Sequence, residues 1–266
     1  MFYSYSTMLL NLIVIYLTAL IFGLEIRGEI QLYLSYKIIF GSLSSFGLST
    51  SYLYFWKEKK QFISPVSILG TVCLIAVLAV SFSANLTQDV QFNYLLTLVV
   101  IEVLNISVLE LLKKDTSLKS YFKGLFLGQL ITLVAFIIHA SCELEPNNLV
   151  FAYIAGGAYQ LIYLLLQLYR FYGFNTLIYS NKELASATLS EYCYYIGGVG
   201  FTAVLATLIL NFDKVYLAKY LSITELGIYS IIGSVMMIIN RFFNVVAINY
   251  FSNRINSKGT LFKVKY

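Results

Sequence analysis

Charge is scarce in this chain. Only 12% of its 266 residues are charged, against roughly 25% in a soluble domain. Hydrophobic residues make up 59% and the mean hydropathy is +0.78. A soluble core this apolar would lack the polar surface to cover it, so the natural solvent is a lipid bilayer. Proline is nearly absent: Pro65 and Pro146 are the only two, and both fall at helix boundaries. The single His139 sits at the outer end of an apolar run, where it reads as an interfacial residue. The three cysteines, Cys73, Cys142 and Cys193, share no metal-like spacing, and an odd number is no disulfide framework. Cys73 and Cys193 lie in apolar stretches and read as packing residues. There is no cluster of metal-ligating residues, no glycine-rich nucleotide loop, no triad arrangement and no carboxylate pair in a loop. The loops are too short to fold into an enzyme domain, so no enzyme activity and no cofactor are expected.

Long apolar runs are what the chain has in abundance. A spanning helix needs about 20 mostly apolar residues. Eight stretches qualify: 7–24, 31–55, 66–84, 92–112, 121–140, 149–172, 197–221 and 226–250. The first does not read as a cleavable signal, because no basic segment precedes it and no small-residue cleavage pattern follows it. The expected fold class is an all-α polytopic membrane protein of about eight transmembrane helices.

Loop charge orients these helices. With the N-terminus in the cytoplasm, the inner segments hold Lys57, Lys59, Lys60, Lys113, Lys114, Lys119, Lys123, Arg170, Lys182, Arg254, Lys258, Lys263 and Lys265, which are 13 of the 18 basic residues. The outer loops hold Arg27 and Lys219, together with Glu25, Glu29, Asp89, Glu143, Glu145 and Glu225. This is the asymmetry of the positive-inside rule. It accounts for the net charge of +5 without a nucleic-acid partner. Both termini are expected in the cytoplasm.

The segment 173–196 is long and polar in its middle, and it follows six closely spaced helices. It reads as a cytoplasmic linker with an interfacial helix. The domains are then a six-helix bundle over 1–172, the linker 173–196, and helices 7 and 8 of a second, incomplete bundle over 197–266. A short repeat supports that seam. Glu25-Ile-Arg-Gly28 precedes helix 2 and Glu225-Leu-Gly227 precedes helix 8, an offset of 199 residues between the glycines. Repeats of this kind commonly build two transporter bundles around a central site.

Charges inside a spanning helix cost roughly 2.5–3.5 kcal/mol each on insertion scales, and they usually face the protein interior or a wet cavity. Five stand in the expected helices: Lys37, Glu102, Asp213, Lys214 and Arg241. Lys37 either snorkels to the outer surface or lines a cavity. Arg241 is too deep in helix 8 to snorkel easily. Cations in a central cavity, Lys37 and Arg241 foremost with Lys214 beside them, suit an anionic substrate, because Arg and Lys both bind phosphate oxygens well. Asp213 either pairs with Arg241 across the helix 7–8 hairpin or gates. Glu102, with Asn105 on the same face, either couples a proton or cation or pairs with a partner such as Lys37. Gly197, Gly198 and Gly200 form the expected hinge where helix 7 begins, and most of the 23 tyrosines read as packing or interfacial residues.

Two stretches carry a family likeness. Phe22-Gly-Leu-Glu-Ile-Arg-Gly-Glu-Ile followed by Phe46-Gly-Leu-Ser-Thr-Ser-Tyr, and Asn211-Phe-Asp-Lys-Val-Tyr-Leu-Ala followed by Glu225-Leu-Gly-Ile-Tyr-Ser, resemble the Wzx-type O-antigen flippases. These belong to the multidrug/oligosaccharidyl-lipid/polysaccharide exporter superfamily. The resemblance implies two six-helix bundles about a pseudo-two-fold axis, of which this chain holds eight helices, as in a fragment or a truncated product. It implies alternating-access flipping of undecaprenyl-diphosphate-linked oligosaccharide across the bacterial cytoplasmic (inner) membrane, for O-antigen or capsule synthesis. Lys37 and Arg241 would then meet the diphosphate. Membrane lipids, a polysaccharide polymerase and glycosyltransferases are the implied partners. The alternatives are a cation-coupled multidrug-type antiporter, with Glu102 or Asp213 as the coupling site, and a non-functional truncated remnant. A membrane glycosyltransferase or polymerase would call for a sizeable external loop, which the chain does not have.

Overall fold

The computed structural model describes residues 2–52, 64–83, 90–112, 118–142, 146–178, 185–236 and 239. Every described element is helical. They are α1 (Phe2–Ser45), α2 (Pro65–Phe82), α3 (Phe92–Leu112), α4 (Leu118–Ser141), a 3-10 turn (Pro146–Leu149), α5 (Val150–Ile178), α6 (Ala185–Leu217) and α7 (Ile223–Met236). Local chemistry sets several ends. Ser64 caps α2 by accepting the Ser67 N–H at 3.2 Å, and Pro65 follows in the first turn, where its missing N–H costs nothing. Ser222 and Glu225 form a capping box at α7: each side chain bonds the other residue's backbone N–H, at 3.3 and 2.9 Å.

α1 is two helices in one. Its 44 residues would extend about 66 Å at 1.5 Å per residue, twice the ~30 Å hydrocarbon core. The helix breaks at Gly23, where φ is 89° and ψ 168°. That conformation is open to glycine and strained for other residues. The contacts of the two halves show that the chain reverses there. Tyr3 packs at a tilt against Phe126, and Phe22 meets Phe136 and His139 edge-on, so residues 2–22 run with α4. Tyr33 accepts the Gln91 N–H, Lys37 meets Glu102, and Tyr52 joins Val108, Leu111 and Leu112, so the half after Gly23 runs with α3. α3 in turn runs with α5, through Tyr94 on Phe151 and Asn105 on Gly157. α4 opposes α5, with Phe136 on Tyr153 and Gly128 against Gln160. The two halves of α1 are therefore antiparallel, a hairpin closed by one residue.

The residues expected as a loop between helices 1 and 2 belong instead to the first turns of the second half of α1. Glu25, Arg27 and Glu29 are helical. A glycine in the left-handed region turns the chain without a loop, so no polar connection is needed. Two further boundaries differ from expectation. α5 runs on to Ile178 past a second glycine break, Gly173 (φ 67°), and α6 starts at Ala185 instead of 197. Ala185-Ser-Ala-Thr-Leu-Ser-Glu mixes good helix formers with polar residues, and its propensity decides where its hydropathy does not. Residues 179–184 of the expected linker lie outside the described residues.

Three apolar clusters hold the bundle together. One joins Val72, Ala76 and Val80 of α2 to Leu95, Val99 and Val103 of α3, together with Tyr33, Tyr36 and Phe40 of α1 and Leu226 of α7. A second joins Tyr52, Leu111, Leu164 and Tyr192, and a third joins Val14, Ile30, Phe136 and Leu149. The outward faces are equally apolar: Leu74, Phe82 and Ile209 are 62%, 86% and 78% exposed. Helices apolar on every side suit lipid, and a helix satisfies its own backbone there. Six described helical stretches are long and apolar enough to cross a bilayer, and one of them, Tyr5–Tyr52, is long enough to cross twice. The protein is an all-α, multi-pass membrane protein.

Candidate functional site

The repeat seen in the sequence is a contact in the fold. A Cβ on Gly28 would collide with the Ile223 carbonyl oxygen, and a Cβ on Gly227 would collide with the Leu24 carbonyl oxygen. Residues 24 and 223 differ by 199, as do 28 and 227. So do the breaks at Gly23 and Ser222, after which the two helices begin. Each helix start thus presents a glycine to the other's carbonyl in a reciprocal arrangement, as a local two-fold axis requires. At the opposite end of α1, Gly200 of α6 abuts Phe46 and Gly47, Tyr192 donates to the Leu48 carbonyl at 2.8 Å, and Ser42 donates to the Ala203 carbonyl. The second half of α1 is therefore held by α6 and α7 near both of its ends.

The polar interior lies beside this seam. Lys37 and Glu102 form an ion pair at 2.9 Å, with side chains 20% and 25% exposed. Gly41 lets Glu102 lie close against α1: a Cβ there would stand 3.2 Å from the Glu102 Cγ. Asn105, one turn further along, donates to the Gly157 carbonyl at 3.1 Å and fixes α3 to α5. Lys37 is thus a paired cation. It and Glu102 realise the pairing that was one of two readings for Glu102.

Asp213 and Lys214, adjacent on α6, face different partners. Asp213 accepts a hydrogen bond from the Tyr229 hydroxyl of α7, which bridges the α6–α7 hairpin. Lys214 is buried and donates to the Leu210 carbonyl at 3.0 Å and to Asn211 at 3.3 Å. Arg241, the expected partner of Asp213 and a proposed substrate ligand, lies outside the described residues. The structure therefore brings Lys37 to Glu102 and Asp213 to Tyr229. Gly197 and Gly198 of the expected hinge have open space around them, and only Gly200 makes a close contact.

Arg27, expected in an outer loop, is 1% exposed. Its Nη2 donates to Gln31 at 2.9 Å, and Gln31 donates to Ser35 at 3.2 Å, a ladder along one face of α1. Tyr153 of α5 stands beside the guanidinium and near Thr18, close enough for the charges of Arg27 and Lys37 to act on it. The signal that could have found Arg27 is the repeat itself: its equivalent at the 199 offset is Leu226, an apolar residue with 0% exposure. The slot is an interior one.

The three cysteines are free, and among the described residues no group of three or more His, Cys, Asp or Glu could hold a metal. The site and fold together define a polytopic α-helical membrane protein with a cation-bearing interior. No protein-family model, curated protein or solved structure matches the chain.

Proposed function

We propose that the chain is a flippase-type transporter, moving a polyprenyl-diphosphate-linked oligosaccharide across the bacterial cytoplasmic membrane by alternating access. The observation that supports it best is the reciprocal contact of Gly28 and Gly227. Two helix starts at the same end of the molecule, related by a local two-fold, fit parallel repeats about an axis along the membrane normal, an arrangement found in transporters. On this reading residues 1–172 form the first bundle, and α6 and α7 open the second. The substrate class follows from charge. Lys37, Lys214 and Arg27 put cations inside the helices of a chain otherwise poor in charge, the sequence adds Arg241 in the expected helix 8, and cations in a low-dielectric interior favour an anionic group. Glu102 holds Lys37 until the diphosphate competes for it. An N-terminus in the cytoplasm is supported by the excess of lysine in the segments between helices 2 and 3 and between helices 4 and 5.

The test is transport by the chain as it stands. Expression in a flippase-deficient strain should restore surface polysaccharide. Proteoliposomes carrying it should move a fluorescent polyprenyl-diphosphate sugar between leaflets, and Lys37→Ala and Arg241→Ala should each slow that movement at normal protein levels. Movement that is no faster than in empty liposomes, with no restoration in cells, would rule the flippase reading out.

A further inference from the structure

We propose that Arg27 and Tyr153 form an oxyanion site inside the first helices of the molecule, one that takes a phosphate or diphosphate group. The choice of a diphosphate rests on the flippase reading; the site itself rests on the buried guanidinium and its unused donors. Arg27 is almost wholly buried, and its Nε and Nη1 atoms have no hydrogen-bond partner among the described residues. The Tyr153 hydroxyl stands against the guanidinium and the Thr18 side chain, without a hydrogen bond of standard geometry to either. A guanidinium does not lose its proton in a protein, so the charge stays where it is. A buried, uncompensated ion is disfavoured by several kcal/mol. The acids nearest in sequence, Glu25 and Glu29, lie two residues to either side on the same helix and so point to other faces; Glu25 is exposed and Glu29 half-buried. The ion pair among the described residues uses Glu102 on Lys37 instead.

Packing does not require a charge at this position. Leu226, the repeat equivalent of Arg27, is fully buried in an apolar cluster. An arginine in a slot that its twin fills with leucine answers to something other than the core. Two guanidinium nitrogens are without a partner, with a phenol beside them that can turn its O–H to the same ligand; all suit oxyanion oxygens, and charge-assisted bonds of this type are the strong ones. Tyr153 is within electrostatic reach of both Arg27 and Lys37. A diphosphate has two phosphoryl groups to offer such a pair of cations.

The experiment is thermal unfolding of the full purified chain in detergent, titrated with inorganic pyrophosphate against chloride at matched ionic strength. Wild type should rise in unfolding temperature and saturate with pyrophosphate but not with chloride. Tyr153→Phe should weaken the apparent Kd by about tenfold to a hundredfold, the loss of one hydrogen bond to a charged group. Arg27→Leu should abolish the shift while remaining folded, as Leu226 does in the equivalent slot. A parallel series in nanodiscs identifies the natural source of the group. If phosphatidylglycerol, but not phosphatidylcholine, raises the wild-type temperature and removes the pyrophosphate effect, and Arg27→Leu does not respond, the occupant is a lipid headgroup on the same site. If pyrophosphate leaves wild type unmoved in both media, with no headgroup effect, the proposal fails whatever the variants do. It fails equally if Tyr153→Phe and Arg27→Leu titrate as wild type does.

Discussion

Gly28→Ala offers the sharpest test of the two-fold seam, because its expected cost has opposing parts that the structure allows to be weighed. Alanine in place of glycine within a helix gains roughly 0.5–1 kcal/mol from reduced chain entropy. Against this, the new methyl group meets the Ile223 carbonyl, which is backbone and cannot rotate aside, with the Ile223 Cγ2 at 2.8 Å behind it. Overpacking of this kind costs about 1–3 kcal/mol. The net is a destabilisation centred on about 1 kcal/mol and reaching about 2.5 kcal/mol. Gly227→Ala should cost a similar amount, since it meets the Leu24 carbonyl in the same way. The double variant is the informative one. Once the first methyl has pushed the two helix starts apart, the second enters space already opened, so the pair should fall short of additivity by at least 0.5 kcal/mol, the lower range for contacting residues. Gly197→Ala and Gly198→Ala, with nothing within 4 Å, serve as controls and should be neutral or slightly stabilising. The assay is reversible unfolding of the purified chain in mixed micelles. Neutral single variants, or two costs that simply add, would refute the reciprocal contact.

Other outcomes follow from single features. Gly23→Ala should destabilise by about 1–2 kcal/mol in the same assay, because φ of 89° places a Cβ in the left-handed region. Lys37→Ala should impair folding or transport more than Lys37→Ala combined with Glu102→Ala, since the single change leaves a carboxylate without its cation; equal loss in both would mean that the pair is not coupled. Native Cys142 and Cys193 are both exposed. In intact cells an impermeant maleimide should label Cys142 in a variant lacking the other cysteines, and should label Cys193 only after permeabilisation; the reverse pattern would invert the orientation. Tyr229→Phe should lower stability by about 1.5–3 kcal/mol through loss of a hydrogen bond to the Asp213 carboxylate, and an unchanged midpoint would show that the α6–α7 hairpin holds without it.

The helical, membrane-spanning character was legible because apolar length is a property of composition and needs no partner. The ends at Pro65 and Phe92 were close for the same reason. The Gly23 reversal was not, because a polar run such as Glu25-Ile-Arg-Gly-Glu reads as a loop by hydropathy, and only the backbone at one residue decides that it is helix. Arg27 fell with that boundary: a loop arginine needs no account, whereas a helical one so deeply buried does. The Lys37–Glu102 pair was within reach as one of two readings, since both charges were expensive in lipid, yet nothing along the chain fixes which helices adjoin. The match of Glu25–Gly28 to Glu225–Gly227 gave the repeat, but only the fold reveals that the two copies touch.

The Arg27–Gln31–Ser35 ladder has a consequence for how this protein enters a membrane. Its three members sit four residues apart on one helix, so their bonds form as soon as that helix does. A guanidinium that depended on another segment for its partners would have to cross into lipid bare and wait for the rest of the chain. Here the helix arrives with part of the charge already solvated by its own side chains, and Gly23 lets it enter together with the segment before it as one closed hairpin. The first act of assembly can then be completed with residues 2–45 alone, before α3 brings Glu102 or α5 brings Tyr153 to the same face.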